Sequence, residues 1–429
     1  MGNRFFSLEP DRGETPRRVF AMFDHRTDNR IYLDAIDASQ AIEFGFGGGL
    51  EYWHEWPDRT RLFVIELPIE FGQRFLSCLT GSDEDDRWPR LWLDIRIRPD
   101  QGVARIYHGL FAGPDPIGIE SVRFARPAYA KHLNRMVDLA PYVASPKEIE
   151  DALELQDPIR WIGVYDVGQG SANGICDADS VPLAYFDLGG GVLANTKTFP
   201  SAFQNICTGR HPPVVLSHWD WDHWSSAARF PQSQQLTWIV PNQKLGAVHG
   251  AMAAAIVRQG KLLVWPRNLW RVRTGQIRIE KCTGKSGRNN TGLAMLIDGP
   301  NGELPILLTG DARYSAIPSG FTNVFSIVAS HHGADMKSKA TPGNWHNPAS
   351  RIAYSYGPGN TFAHPRDCTY TRHHANGWQH RNIQPAGAID RHTPDRRPDL
   401  GNIGLGWSNR PLPLHRCGGW NCSLQLEQG

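Results

Sequence analysis

Short apolar runs separated by Gly, Pro, Asn and Asp are the main pattern in this sequence. Runs of this length that are rich in Val, Ile, Leu and aromatic residues predict β-strands. In the first third of the chain the predicted strands are residues 18–23, 61–67, 91–96 and 103–107. In the remainder they are residues 161–166, 183–187, 214–217, 237–240, 277–281, 293–298, 306–309, 327–330 and 352–356.

Helices are predicted where capping residues precede a run of helical composition. Ser145 and Glu148 form a capping box around Pro146, which occupies the first helical position, so a helix begins there. This helix ends before Asp157-Pro158, because proline disfavours the helical conformation of the residue before it. The other predicted helices are residues 37–44, 127–139, 242–258 and 365–375.

The length of 429 residues allows two domains, each with its own core. Residues 1–143 are predicted to form a separate N-terminal α+β domain, and residues 144–158 a helical linker. Residues 159–392 are predicted to form the main α/β domain, and residues 393–429 an Arg- and Pro-rich extension. The first segment contains no chemical motif, so we interpret it as a module for binding a protein partner or selecting a substrate.

Composition narrows the classes of partner. The net charge of +2 gives no chain-wide basic field, so nucleic-acid binding would need a local patch. No apolar run approaches the ~20 residues that span a bilayer, and no membrane partner is expected. The seven cysteines contain no Cys-x-x-Cys pair, which predicts free thiols in a reducing compartment and the cytoplasm as the default location. Cys417, Cys422 and His415 leave a small metal site open as an alternative to a structural role.

The segment His218-Trp219-Asp220-Trp221-Asp222-His223 is the most informative feature of the chain. It places two imidazoles and two carboxylates within six residues, immediately after an apolar run that ends in Leu216-Ser217. Mixed nitrogen and oxygen donors suit zinc, manganese or iron. The alternative is an exposed polar turn against which the neighbouring tryptophans pack.

This motif resembles the metallo-β-lactamase superfamily, whose usual form is His-x-His-x-Asp-His, with Asp220 here in place of the second His. The variant is similar to the soluble domain of the ComEC family of DNA-uptake competence proteins. Further stretches that resemble blocks of that family, in the same order, are residues 165–172, 186–189, 307–311, 330–333 and 355–365. The resemblance covers about residues 160–390 and implies an αββα sandwich. Strand number and spacing alone would indicate only a mixed α/β domain.

The resemblance also implies a site for two divalent ions, manganese or zinc. His218 and Asp220 would bind the first ion, Asp222 and His223 the second, and Asp311 would bridge them. Asp311 has an alternative role as the N-cap of a following helix.

The last ligand is less determined by the pattern. His364 is the choice for the second ion, while His331 and His332 are expected to reach the same cleft as ligand, proton donor or substrate contact. A buried structural role for one of that pair is the alternative. Asp222, His331 and His332 are the predicted catalytic residues.

Three residues are predicted to support the ligands, namely Asp166, Asp187 and Asn290. Asn290 lies in the block that carries a ligating His in the wider superfamily. Because an amide oxygen binds metal more weakly than imidazole does, Asn290 and Asp220 shift the expected preference from zinc toward manganese.

These features favour a metal-dependent hydrolase with a metal-activated hydroxide, acting as a phosphodiesterase or nuclease. Lys281, Lys285 and Arg288 are candidate contacts for substrate phosphates, with a mobile solvated loop as the alternative. Two other functions remain open at this point. One is hydrolysis of a small ester, amide or nucleotide, and the other is a non-catalytic subunit of a larger complex.

Overall fold

The computed structural model of the chain describes residues 3–9, 13–47, 55–71, 91–285, 287–318, 323–336, 340–344, 348–383, 388–408 and 423–428. Backbone contacts divide the chain into two compact units. The first unit comprises Met1–Pro141 and Lys244–Gln259, and the second comprises Tyr142–Gln243 and Gly260–Gly429.

The described strands and helices are numbered here in chain order. The strands are β1 Arg18–Arg26, β2 Arg30–Asp37, β3 Leu62–Pro68, β4 Leu93–Tyr107, β5 Asp115–Phe124, β6 Trp161–Val164, β7 Ala172–Cys176, β8 Pro182–Leu188, β9 Val214–Val215, β10 Thr237–Val240, β11 Lys261–Val264, β12 Arg271–Thr274, β13 Ile277–Lys281, β14 Leu293–Ile297, β15 Ile306–Leu308, β16 Asn323–Val324, β17 Ser326–Val328, β18 Gly343–Asn344, β19 Ile352–Tyr354, β20 Asp390–His392, β21 Ile403–Leu405 and β22 Glu427–Gln428. The α-helices are α1 Ala38–Gly47, α2 Trp56–Arg59, α3 Pro127–Met136, α4 Pro146–Ala152, α5 Ser226–Arg229, α6 Ala247–Gln259 and α7 Asp367–Ala375.

The first unit is built on an antiparallel sheet in the order β1-β2-β3-β4-β5. The long strand β4 also pairs with β1 through its first residues, so the sheet closes on itself. Apolar side chains that include Val19, Leu33, Ile65 and Ile95 form its buried core. The sequence predicts two short strands, 91–96 and 103–107, where the structure has the single strand β4. Strands β2 and β5 are not predicted from the sequence.

The helix predicted at residues 242–258 belongs to this first unit, although its sequence lies between strands of the second. Its start is shifted to Ala247 in α6. The Asp34 carboxylate of β2 accepts the backbone N–H of Val248 at 2.7 Å. A carboxylate at this end satisfies an N–H group that the helix leaves unpaired, which is why the helix begins here.

The second unit contains two large sheets of mixed strand direction, as far as the chain is described. One has the order β11-β10-β9-β8-β7-β6-β21-β22, and the other β12-β13-β14-β15-β17-β19-β20. Phe186 and Ile239 from the first sheet share one buried core with Met295 and Leu308 from the second. The two sheets therefore pack face to face in this unit.

Segments outside the predicted main domain also take part in this unit. Strand β21, from the predicted C-terminal extension, pairs antiparallel with β6.

The predicted capping box of α4 is confirmed, since the Ser145 hydroxyl accepts the N–H of Glu148, and the Glu148 carboxylate accepts the N–H of Ser145.

Three parallel-paired strands direct their carboxyl ends toward the predicted site. Strand β9 lies between β8 and β10, and β15 pairs with β17. The loops after β9, β15 and β17 carry residues 218–223, 311 and 331–332. Ligand sites in open α/β sheets form at such strand ends.

Two further predictions can be compared with the described chain. Cys176, Cys207 and Cys282 are buried free thiols and Cys368 is an exposed one, while Cys78, Cys417, Cys422 and the suggested partner His415 lie outside the described residues. In the part of the chain that is described, no helix is long and apolar enough to cross a membrane.

Candidate metal centre

The motif after β9 is buried rather than exposed. The side chains of His218 and His223 are 1% and 0% exposed, and Trp219, Trp221 and Trp224 pack in the interior around them. The backbone of Trp221–His223 forms a single 3-10 turn. An exposed polar turn, the alternative for this sequence, is therefore wrong.

The Asp222 backbone is held by close contact with a glycine-rich loop. Its carbonyl oxygen accepts N–H groups from Ser171 at 3.0 Å and Gly190 at 3.1 Å. A Cβ placed on Gly189 would lie 1.6 Å from the same oxygen. Glycine is required at position 189 because the motif backbone occupies the space of a side chain.

Imidazole and carboxylate atoms converge in two overlapping groups. His218, His223 and Asp311 form one, and Asp222, His223 and His332 form the other, with all ligand atoms of a group within 4.8 Å of one another. The Asp311 Oδ1 atom lies 3.0 Å from His223 Nε2 and 3.7 Å from His332 Nε2. The Asp222 Oδ2 atom lies 3.3 Å from His332 Nε2.

These inward-facing atoms are buried and lack hydrogen-bond partners within the described structure. They are the Nε2 atoms of His218, His223 and His332 and the Oδ1 atom of Asp311. Buried polar atoms are normally satisfied, and such a group of unsatisfied atoms requires an explanation. Divalent ions held by the two groups would satisfy these atoms, and His nitrogen with carboxylate oxygen is a suitable donor set.

The opposite ring nitrogens fix the orientation of two histidines. His332 Nδ1 lies 2.9 Å from the Ser355 carbonyl oxygen, and His223 Nδ1 lies 2.8 Å from Asp187 Oδ2. A carbonyl and a carboxylate only accept hydrogen bonds, so Nδ1 carries the proton in both rings. Each ring therefore directs Nε2 toward Asp311, and in the neutral form that atom has the lone pair a metal ligand requires.

Asp187, predicted to support the ligands, contacts Ser217 and His223. Its Oδ1 atom accepts the Ser217 N–H at 2.7 Å, and its Oδ2 atom accepts the Ser217 hydroxyl at 2.9 Å. Its own backbone is in the left-handed region, with φ of 64°. Asp187 therefore fixes the start of the motif and one of the candidate ligands at once.

The electrostatics of the centre favour bound positive charge. Burial by itself would raise the pKa of Asp311, but attraction to His223, His331 and His332 holds that pKa well below its usual value. Burial lowers the pKa of His223, yet Asp311 and Asp187 raise it well above the usual value. The buried carboxylates thus require nearby cations, which can be protonated imidazoles or metal ions.

Asp220, predicted to bind the first ion, lies between His218 and Arg288. Its Oδ2 atom lies 3.2 Å from His218 Nε2, and its Oδ1 atom forms an ion pair with Arg288 Nε at 2.8 Å. It belongs to neither convergent group. Arg288, predicted to contact substrate phosphate, is buried and holds Asp220.

Lys281 and Lys285 lie elsewhere on the same stretch of chain. The Lys281 ammonium donates to the Arg267 carbonyl at 2.9 Å and lies 5.7 Å from the ring centre of Trp270. Lys285 is exposed. The structure does not bring these two lysines into the convergent groups.

The loop that carries Asp311 is joined to the loop that carries His331 and His332. The Ser330 hydroxyl donates to the Ala312 carbonyl at 2.6 Å, and the His331 N–H donates to the Gly310 carbonyl at 3.1 Å. The helix N-cap alternative for Asp311 is wrong, because the next 3-10 turn begins at Tyr314 with Arg313 as its cap.

Asn290 acts on this same Asp311 loop. Its side-chain oxygen accepts the backbone N–H of Arg313 at 3.0 Å. The predicted supporting role therefore takes the form of a backbone contact two residues beyond Asp311.

The sequence predicts His364 as the last ligand, whereas in the structure His332 is the histidine that lies in a convergent group. His332 faces Asp222, whereas His364 lies outside both convergent groups, with its ring centre 5.3 Å from that of His331. His331 and His332 both adopt left-handed backbone conformations, with φ of 50° and 55°. Such conformations cost energy and cluster at functional sites, and no sequence pattern indicates them.

His331 and His364 line the more open side of the centre. His331 Nε2 lies 3.3 Å from Asp311 Oδ2, and its side chain is 34% exposed. Burial lowers the pKa of His364 to about 2 and also lowers the pKa of His331. The His364 ring is therefore neutral at physiological pH.

Asp166 supports a different part of the unit. Its carboxylate forms a two-point ion pair with Arg397, at 2.6 Å and 3.2 Å, and its N–H donates to Asn402 at 2.8 Å. The sequence does not predict the contacts of Asp166 with Arg397 and Asn402, because no local pattern relates residues more than 200 positions apart.

Two other clusters of His and Asp have the spacing of a metal site, but their carboxylates are already hydrogen-bonded to neighbouring side chains. Asp390 is bound by Arg381 at 2.9 Å and by His392 at 2.8 Å. His380 Nδ1 accepts the N–H of Asn382, which leaves the proton on Nε2 and prevents that atom from binding a metal. In the first unit, His249 Nε2 lies 2.7 Å from Asp24 in a similarly closed arrangement.

No protein-family model matches the chain, and no curated protein matches it significantly. A solved structure to which it is similar is that of zinc-bound PqqB from Methylobacterium extorquens, at 1.98 Å. The TM-score is 0.29 and the sequence identity 8%, over 39% of this chain and 72% of PqqB. The functional interpretation therefore depends on the geometry of the site itself, which is a buried set of His and Asp side chains able to bind divalent metal within a mixed α/β fold.

Proposed function

We propose that the chain is a metal-dependent phosphodiesterase with an αββα metallo-β-lactamase-like second unit, and that nucleic acid is its substrate. The observation that carries the proposal is the set of buried, unsatisfied Nε2 and Oδ1 atoms around Asp311. The resemblance of five ordered sequence blocks to the ComEC family supports the substrate class.

Two ions would be bound on either side of Asp311. His218 and Asp220 would bind one, and Asp222, His223 and His332 the other, with the Asp311 carboxylate between them. When bound, such ions lower the pKa of a bound water and stabilise the charge on a phosphoryl group.

The protein side chains have separate tasks around that chemistry. Asp187 and the Ser355 carbonyl hold His223 and His332 with their Nε2 atoms directed inward. His331 is the partly exposed ring beside Asp311, so its Nε2 atom is placed to hydrogen-bond the substrate oxygen that leaves. The enclosed tryptophans and the glycine loop keep the motif rigid, which limits reorganisation during the reaction.

The test combines metal content with hydrolysis. Wild type and Asp311→Asn are loaded with manganese or zinc and dialysed, and retained metal is measured by elemental analysis. Hydrolysis of bis(p-nitrophenyl) phosphate and of a labelled oligonucleotide is measured on the same samples. We expect wild type to retain metal and hydrolyse both substrates, and Asp311→Asn to lose most of the metal and at least about 100-fold in kcat.

Asp298→Asn is the matched control, because Asp298 forms an exposed ion pair with Arg273 on the same sheet. It should behave as wild type in both assays. Retention of metal without hydrolysis of either diester would contradict the proposed activity. Equal metal content in wild type and Asp311→Asn would contradict the proposed centre.

A further inference from the structure

An exposed tryptophan stands at the edge of the second large sheet. Trp270 immediately precedes β12, and its side chain is 65% exposed, the highest value among the large apolar side chains of the described chain. Single exposed apolar residues are common on soluble proteins, so this ring becomes informative only together with the charged side chains near it.

One cation lies near this ring, and two further basic residues are close to it in the sequence. The Lys281 ammonium lies 5.7 Å from the ring centre of Trp270 and is held there by the Arg267 carbonyl. The side chains of Arg267 and Arg271 are exposed on either side of Trp270 in the sequence. We call these four residues the Trp270 patch.

Backbone pairing connects the Trp270 patch to the metal centre. The Lys281 N–H donates to the Trp270 carbonyl, and Lys281 is opposite Leu293 in the pairing of β13 with β14. The Leu293 N–H in turn donates to the carbonyl of Ser217, the residue before His218. Three steps between neighbouring backbones, each of about 4.8 Å, put the patch roughly 15 Å from the motif.

We propose that the Trp270 patch binds single-stranded nucleic acid whose chain continues from the metal centre along the end of this sheet. The inference rests on the proposed function and specifies its substrate. An exposed aromatic ring stacks on any unpaired base, while neighbouring Arg and Lys side chains bind the backbone phosphates. Base faces are available for stacking in a single strand and not inside a duplex.

Charged side chains at an edge strand have another known use, which is to prevent pairing with a second sheet. Arg271 and Arg273 on β12 could serve that purpose alone. A protective edge gains nothing from an exposed tryptophan, since a large apolar ring favours association. The combination of ring and cations therefore favours nucleic acid.

The test is binding without catalysis. Fluorescence anisotropy of a labelled oligo-dT of about 20 nucleotides is measured in EDTA, at low and moderate salt, with the full chain. We expect Trp270→Ala to weaken binding about tenfold, Trp270→Phe to retain most of it, and Arg271→Ala to reduce the salt dependence. The matched control is Phe124→Ala, which removes an exposed aromatic ring from the first unit and should bind as wild type.

The outcomes separate this proposal from the proposed function. Equal binding by Trp270→Ala and wild type, with circular dichroism showing both folded, would overturn the patch. Tighter binding to a 20-base-pair duplex than to oligo-dT would do the same. Patch-dependent binding by a protein that hydrolyses no diester would support the patch while contradicting the nuclease activity.

Discussion

At the residue scale, the ring nitrogen that faces away from the centre determines what each histidine can do. His223 and His332 donate from Nδ1 to acceptors that cannot donate in return, so Nε2 is the nitrogen that each ring presents to the centre. His380 has the reverse arrangement and cannot bind metal through Nε2. Proximity alone does not distinguish these sites, whereas the hydrogen bond on the opposite nitrogen does.

The choice among the final histidines illustrates the limit of sequence reasoning at this scale. The motif indicated the donors at positions 218–223 because their spacing is local. The sequence does not show that His332, and not His364, lies in a convergent group, because the orientation of His332 depends on a left-handed backbone and on the Ser355 carbonyl. Such a contact joins distant segments and leaves no periodic signal.

Arg288 is expected to weaken metal binding on the Asp220 side of the centre. Its guanidinium occupies Asp220 Oδ1 at 2.8 Å, so it competes with an ion for that carboxylate. In Arg288→Met the competing charge is absent, and we expect the weaker of two binding events to become about tenfold tighter, an order-of-magnitude estimate for one nearby charge. Isothermal titration with manganese measures both events.

Arg273→Met is the control, because Arg273 pairs with Asp298 at an exposed position on β12. It should leave both binding events unchanged. Weaker metal binding in Arg288→Met would show instead that Arg288 positions Asp220 for the ion.

At the element scale, the glycine loop after β8 is a rigid constraint on the motif. In Gly189→Ala the new methyl would overlap the Asp222 carbonyl, and neither backbone can move without breaking the contacts from Ser171 and Gly190. We expect a loss of about 1–3 kcal/mol or more in the free energy of unfolding, together with weakened metal binding. Urea denaturation and metal titration measure the two effects.

Gly209→Ala provides the comparison, since a Cβ at position 209 meets nothing within 4 Å. Its unfolding free energy should stay within about 0.5 kcal/mol of wild type. Equal stability of the two variants would mean that the loop adapts and does not hold Asp222.

Helix α7 is tied to the sheet by a buried histidine that should make stability depend on pH. His373 Nδ1 lies 2.6 Å from the Tyr354 hydroxyl, and its Nε2 lies 2.9 Å from that of Tyr314. Burial lowers the pKa of His373 to about 3, so the folded state favours the neutral ring. Its stabilising contribution is complete above the unfolded pKa of about 6.5 and is lost as the pH falls toward 3.

The variant His373→Gln keeps hydrogen-bonding groups without the titration. We expect it to be less stable than wild type at pH 7 and to lose less unfolding free energy between pH 6.5 and pH 4. Urea denaturation at a series of pH values gives both curves. Parallel curves would show that other groups cause the acid sensitivity.

Strands are predictable from the sequence where the strand itself is a continuous apolar run. Strands β10, β14 and β15 are continuous apolar runs, as expected of strands buried on both faces. Strand β7 contains Asn173 and Gly174, and β12 alternates exposed Arg with one buried Val, so neither has an apolar run. These strands form because neighbouring strands supply their partners.

The start of α6 was misplaced for a related reason. Gln243, within the predicted helix, uses its side chain to accept the Trp219 N–H and to donate to the Arg288 carbonyl. Those contacts hold the residue outside a helix and beside the motif. Propensity is a weak signal where tertiary hydrogen bonds of this kind compete with it.

At the scale of the whole molecule, the order of motifs indicated the sheets but not the division into units. The chain enters the first unit twice, since α6 belongs to it while the residues on both sides belong to the second. A sequence read in order assigns α6 to its neighbours, because adjacency is the usual guide. The buried contacts of Asp34 and Asp24 with the first turn of α6 show that the helix belongs to the first unit.

This division leads to a prediction about metal removal. All residues of both convergent groups lie in the second unit, whereas the first has its own apolar core. Metal binds the folded centre and not the separated side chains of the unfolded chain. At a free metal concentration 100 times the Kd it should therefore raise the unfolding free energy of the second unit by about 2.7 kcal/mol. Scanning calorimetry is carried out first with zinc and then with EDTA. Removal of the ion should move the unfolding transition of the second unit to a lower temperature. In Asp311→Asn this unit should unfold at the lower temperature both with zinc and with EDTA. A transition that is identical with and without metal in the wild type would contradict a metal centre built from these side chains.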